Sequence, residues 1–218
     1  MKHKSIWRFL TFLTLLILSF ALLTYFVRNK HTTAFDELLL KKVKAMEAPF
    51  VTTIMKGFGF IGATLPVIVI SIILLIILYR LHKNRSEVYL FIIVLLGSTA
   101  FNVLVKTLIK RKRPISDLII ESGYSYPSGH TVGAVSLYGI ITFLFWRKLE
   151  TTQGRVSLIF FSVIMIMIMG FSRIYLGVHY PTDILGAYLL SGIWLYLTIW
   201  IYQLIMERRA NESTKTKE

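Results

Sequence analysis

A chain of 218 residues that is 55% hydrophobic and only 17% charged carries more apolar surface than a soluble domain of its length needs, which points to an integral membrane protein. The net charge of +14 would suit nucleic acid, but many of the Lys and Arg residues stand at the ends of apolar segments, where they fix membrane orientation, so no nucleic-acid partner is expected. The absence of cysteine excludes disulfides, thiolate chemistry and Cys-ligated metals.

The first element is a charge-free run over 9–27 behind the basic start "MKHKSIWR". It is longer than the apolar core of a signal peptide, and no small-residue cleavage site follows, so it reads as an uncleaved membrane span. Next, "TTAFDELLLKKVKAMEAPF" places Phe35, Leu38, Leu39, Val43 and Met46 at helical spacing, and Thr33 with Asp36 resembles a capping box. An amphipathic helix over 33–46, lying on the membrane surface, is expected, the alternative being a connecting helix packed on the bundle. Five further apolar windows follow at 57–79, 88–105, 131–146, 156–172 and 184–206. The fold class is therefore all-α: a polytopic membrane protein of six transmembrane helices, with the amphipathic interfacial helix between the first two. Residues 1–208 form a single membrane domain, and 209–218 a disordered cytoplasmic tail.

Basic residues set the orientation. Lys2, Lys4 and Arg8, then Arg80, Lys83 and Arg85, then Arg147, Lys148 and Arg155, and finally Arg208, Arg209, Lys215 and Lys217 all fall on one face of a six-span chain. That face is cytoplasmic, with both termini on it. The opposite, outer face also carries basic residues, at 106–113 and at Arg173, which break the bias and suggest another purpose.

Three segments meet on that outer face. In "KTLIKRKRP", Lys106 and Arg113 are seven residues apart, so two helical turns would put them on one side, able to converge on an anion. Snorkelling to headgroups is the competing explanation. Lys110, Arg111 and Lys112 would gather anionic lipids at the mouth. In "YPSGH", the Pro-Ser-Gly turn precedes a helix start, where Ser128 can cap and free amides suit a phosphate beside His130. A plain helix start with an incidental histidine fits equally. In "FSRIYLGVHYPTD", Arg173 offers a guanidinium fork, and Asp183 could orient His179 so that its free nitrogen is a nucleophile; a structural Arg173–Asp183 pair is the alternative. Taken together, three cations, two histidines and a carboxylate are what phosphoryl transfer through a covalent intermediate requires.

Lys106-x6-Arg113-Pro114, Pro127-Ser128-Gly129-His130 and Ser172-Arg173-x5-His179-x3-Asp183 resemble the three motifs of the type 2 phosphatidic acid phosphatase superfamily, in order, within a resemblance that extends over 57–206. The resemblance implies a membrane enzyme that dephosphorylates lipid phosphates without a metal or other cofactor. His179 is then the nucleophile, Asp183 its partner and His130 the acid. Lys106, Arg113, Ser128, Gly129 and Arg173 are implied as phosphate ligands, with Pro114, Pro127 and Ser172 in support. The compact size is similar to the bacterial membrane members, which are associated with phosphatidylglycerophosphate, phosphatidic acid and undecaprenyl diphosphate. A lipid phosphate is thus the expected substrate and membrane lipids the expected surroundings. The choice among these lipids, a phosphotransferase activity and the oligomeric state all stay open.

Overall fold

The structure, a computed structural model, describes residues 3–81 and 85–215; Lys2, Lys83 and Lys217, used above for orientation, lie outside the described residues. Among the described residues, eight helices run in chain order: α1 (His3–Arg28), α2 (Thr33–Lys44), α3 (Pro49–Ile61), α4 (Thr64–Leu81), α5 (Arg85–Ile109), α6 (Gly129–Trp146), α7 (Thr152–Tyr175) and α8 (Pro181–Lys215). Pro49 opens α3 and Pro181 opens α8, positions where a missing N–H costs little. Ser128 and Thr151 cap α6 and α7 by accepting from the Thr131 and Gly154 amides.

Among the described residues, five helices are long and apolar enough to cross a membrane: Ile6–Arg28, Arg85–Ile109, Gly129–Trp146, Thr152–Tyr175 and Pro181–Glu212. A sixth crossing exists only if α3 and α4 are counted as one span, and they bend by 55° where they meet. The continuous run expected over 57–79 is therefore a broken one. Gly62 caps α3, and Pro66, in the first turn of α4, has no N–H to continue the ladder from α3.

The bundle is apolar outside as well as inside. Leu15, Leu18 and Leu22 of α1, Ile68, Ile72 and Ile76 of α4, and Phe160 and Val163 of α7 are all exposed, an outer surface that only hydrocarbon would cover favourably. Inside, Leu78, Phe91, Val94, Leu137, Ile140 and Leu144 form the largest core cluster, joining α4, α5 and α6. A second cluster places Tyr175, Leu176 and Val178 under Val43 of α2, Val51 and Met55 of α3, and Leu118 and Ile119 of the α5–α6 loop. It fixes α2 and the loop over one end of the bundle.

The helix expected at 33–46 is present as α2, but the capping box is not. Thr32 stands at the N-cap without a side-chain bond, and Asp36 is buried instead of capping. Its apolar face is divided, with Val43 turned into the cluster and Phe35 and Leu38 exposed. At the other end, α8 is helical as far as Lys215, where sequence suggested disorder from 209, and residues 216–218 lie outside the described residues.

Candidate active site

The site is built around the loop of residues 110–128, which joins α5 to α6. The Lys106–Arg113 expectation of one continuous helical face fails here. Lys110 takes φ 52°, its N–H closing on Lys106 O at 3.0 Å, and α5 stops at Ile109. Such a left-handed residue ends a helix. Arg113 thus reaches the site from the loop and Lys106 from the last turn of α5, with Lys106 Nζ donating to Tyr124 O at 2.6 Å.

Arg113 is anchored on several sides. Its Nε donates to Ser122 O and Gly123 O at 3.2 and 3.1 Å, and Nη1 donates to Val178 O at 3.0 Å. The same Nη1 lies 2.8 Å from His179 Nε2. A guanidinium can only donate, so Nε2 must accept, and the ring proton belongs on Nδ1. Nδ1 in turn lies 3.2 Å from Asp183 Oδ2. The expected His179–Asp183 pair is therefore present, with both side chains fully buried. Burial pushes the His179 imidazole down to about 3; Asp183 opposes the shift, while the Arg113 and Lys106 charges add to it. A neutral ring with its Nε2 lone pair directed into the cage is the outcome. Burial likewise lowers Arg113, partly countered by Asp183.

Asp183 is held from three more directions. Its Oδ2 accepts the Tyr180 N–H at 2.9 Å, its backbone O accepts the Ser128 N–H at 3.2 Å, and its Oδ1 lies 2.7 Å from Arg111 Nη1. The third contact was not foreseen. Arg111 does not stand at the mouth gathering lipids: it turns inward, stacks 4.1 Å over the Tyr180 ring and pairs at 2.6 Å with Asp36. Burial opposes its charge, but Asp183 and Asp36 together hold its pKa above the ordinary arginine value. Lys110 and Lys112 are exposed and, with Arg28, Lys30 and Arg111 itself, line a basic cavity of about 440 Å³.

Arg113, His130 and Arg173, one from each motif, come together around Glu121, which sequence reasoning did not single out. Its carboxylate takes Arg113 Nη2 at 3.2 Å and Arg173 Nη2, and it lies 3.8 Å from His130 Nδ1. Among the described residues, the Arg173–Asp183 pair considered as an alternative is not formed: Asp183 pairs with Arg111 and His179, and Arg173 with Glu121. Arg173 Nε is buried with no partner. Ser128 is buried and its hydroxyl accepts from Thr131, while Gly129 opens α6 so close to Asn102 that a Cβ would meet Nδ2 at 3.2 Å. Ser172 bonds within its own helix, to Met169 O at 2.8 Å, and Pro114 lines a separate groove beside α2. Pro127 follows a cis bond in the turn. The bend between α3 and α4 presses on the site too. A Cβ at Gly59 would lie 2.9 Å from Arg173 Nη1, and one at Gly62 would lie 3.3 Å from His130 Cδ2.

Residues 86–207 match the model of the PAP2 superfamily. Phosphatidylglycerophosphatase B of Bacillus subtilis is 30% identical over 184 residues, covering 84% of this chain and 90% of that protein. The protein of the same name from Escherichia coli is 32% identical over 85 residues, or 39% of this chain and 32% of that one. Among solved structures, a transmembrane PAP2-type phosphatidylglycerolphosphate phosphatase from Bacillus subtilis superposes with a TM-score of 0.82 at 25% identity, over 88% of this chain and 96% of that one. Aquifex aeolicus LpxE shares the fold, with a TM-score of 0.60 at 20% identity over 76% of this chain and 94% of that one.

Proposed function

The chain belongs to the PAP2 superfamily, and from that membership we propose that it is a membrane lipid phosphatase that removes a terminal phosphate through a phosphohistidine on His179, without a metal. The observation that carries this reading is the orientation of His179. Its Nδ1–H is directed to Asp183, and its Nε2 lone pair faces Arg113 within a cluster of cations. Arg113 Nη1 exchanges its bond to Nε2 for one to a phosphate oxygen, Nε2 attacks phosphorus while the bond to the lipid oxygen breaks, and that oxygen takes a proton from His130. Lys106, Arg113 and Arg173 hold the charge that develops on the equatorial oxygens, with the Ser128–Gly129 turn and the α6 N-terminus beside them. Water then attacks phosphorus, His130 removes its proton, and the P–N bond breaks to give inorganic phosphate and neutral His179. Asp183 keeps the Nδ1 proton in place throughout.

For the substrate, a lipid monoester such as phosphatidylglycerophosphate is favoured by the name and 90% coverage of the Bacillus subtilis relative. Phosphatidic acid and undecaprenyl diphosphate present the same terminal group. The positions of the basic residues support cytoplasmic termini and an active site at the outer face of the plasma membrane, with α2 lying along that surface. Purified protein in EDTA is expected to release phosphate from phosphatidylglycerophosphate, and His179→Ala to release none. Full inhibition by EDTA, or turnover by His179→Ala, would contradict the proposal.

A further inference from the structure

Glu121 is bound by groups that the proposed reaction assigns to phosphate. One carboxylate takes Arg113 of the first motif and Arg173 of the third, and stands beside His130 of the second. We infer that Glu121 is a built-in competitor for the phosphate subsite, a tethered carboxylate that every phosphate must displace, so that the weakly held phosphodiester headgroups of ordinary phospholipids leave the cage unoccupied while dianionic phosphomonoesters still enter it. This rests on the reading of the site as a lipid phosphatase.

Three observations support it. First, Glu121 is not what fixes Arg113, whose other nitrogens already bond the Ser122, Gly123 and Val178 carbonyls. The carboxylate can leave without releasing the guanidinium. Second, it has somewhere to go. Its side chain is 22% exposed, and two residues on, Gly123 is at φ 80° with nothing within 4 Å of where a Cβ would stand. Third, Glu121 leaves donor capacity unused, since Arg173 Nε is buried without a partner. A terminal phosphate brings three free oxygens and a second negative charge to that surplus, whereas a phosphodiester brings two free oxygens and one charge.

A membrane enzyme works among phosphodiesters in great excess over its substrate, and an unguarded pair of guanidiniums would bind them. Against a monoanion, Glu121 has equal charge and the advantage of being tethered, which corresponds to an effective concentration in the millimolar range or above. A dianion interacts about twice as strongly with each cation and displaces it. The competitor weakens both classes by the same factor, which takes the weaker binder below occupancy and leaves the stronger one able to bind.

The test uses the full chain in nanodiscs, with phosphatidic acid as substrate, phosphatidylglycerol as competing phosphodiester and tungstate as a non-reacting dianion. In Glu121→Gln, the inhibition constant of phosphatidylglycerol is expected to fall on the order of tenfold. The KM for phosphatidic acid should fall by a similar factor, and tungstate should bind more tightly by calorimetry. Unchanged constants, or a KM that rises, would overturn the inference. Glu121→Ala should behave alike, and failure of both variants to fold would assign Glu121 a structural role and likewise overturn it. Tungstate separates this inference from the reaction it rests on. Tighter binding with no turnover by either protein would condemn the reaction alone, whereas normal turnover with unmoved constants would condemn the inference alone.

Discussion

Asp36 and Asp183 share one guanidinium. Arg111 Nη2 lies 2.6 Å from Asp36 Oδ2 and its Nη1 lies 2.7 Å from Asp183 Oδ1, with both carboxylates fully buried. Thr182 closes the arrangement by donating its N–H and hydroxyl to Asp36 at 3.0 and 2.7 Å. The helix α2, far from the motifs in sequence, is thereby tied to the carboxylate that orients His179. Two buried carboxylates would repel each other; the shared cation and the His179 N–H between them make the cluster tolerable.

Removing Asp36 should therefore reach the active site without touching it. Asp36→Ala leaves Arg111 with one buried partner instead of two, and the loss of a buried pair costs about 3–5 kcal/mol. A lower melting temperature and a reduced kcat are expected, with KM little changed. In a double-mutant cycle with Arg111→Ala, the two effects should be strongly non-additive. Additive losses would show that the two residues act separately.

The neutral state of His179 has a consequence for pH. Its folded value is about 3, well below the 6.5 of a free imidazole, so between those values the unfolded chain binds the additional proton. Stability contributed by this residue is thus present above about 6.5 and is lost on acidification toward 3, with a slope of up to about 1.4 kcal/mol per pH unit. Melting temperature recorded from pH 7 to pH 4 should fall less steeply in His179→Gln than in the wild type. Parallel curves would mean that the ring is already charged in the folded protein.

At Gly59 the space is already used. A methyl group there would lie 2.9 Å from Arg173 Nη1, and since that atom ends a flexible side chain the guanidinium shifts before the backbone does. Gly59→Ala is expected to raise KM several-fold with little loss of stability, the pattern of a displaced ligand rather than a broken fold. Wild-type KM in Gly59→Ala would show that Arg173 does not need its present position.

These residues also show what could be read from the chain and what could not. The apolar windows marked the spanning helices, and the spacing of His179 and Asp183 marked their contact, because each lies within a short segment. Arg111 looked like one more surface cation in "KRKRP", and Asp36 looked like half of a capping box. Their pairing spans 75 residues of sequence, and no local pattern announces a contact of that range. Glu121 sat in a loop without periodicity between two motifs, and only the folded chain shows it among their cations. The break between α3 and α4 was masked because hydropathy is insensitive to a 55° bend; Gly62 and Pro66 were its only local signs.

The most direct measurement is of the bond that His179 is proposed to form. Protein quenched in base within milliseconds of mixing with lipid phosphate labelled in its terminal group should carry acid-labile, base-stable label on His179. Label should be absent in His179→Ala and persist longer in His130→Ala, which lacks the base that activates water. Turnover by wild-type protein with no label, or with label on any other residue, would contradict a phosphohistidine at this position.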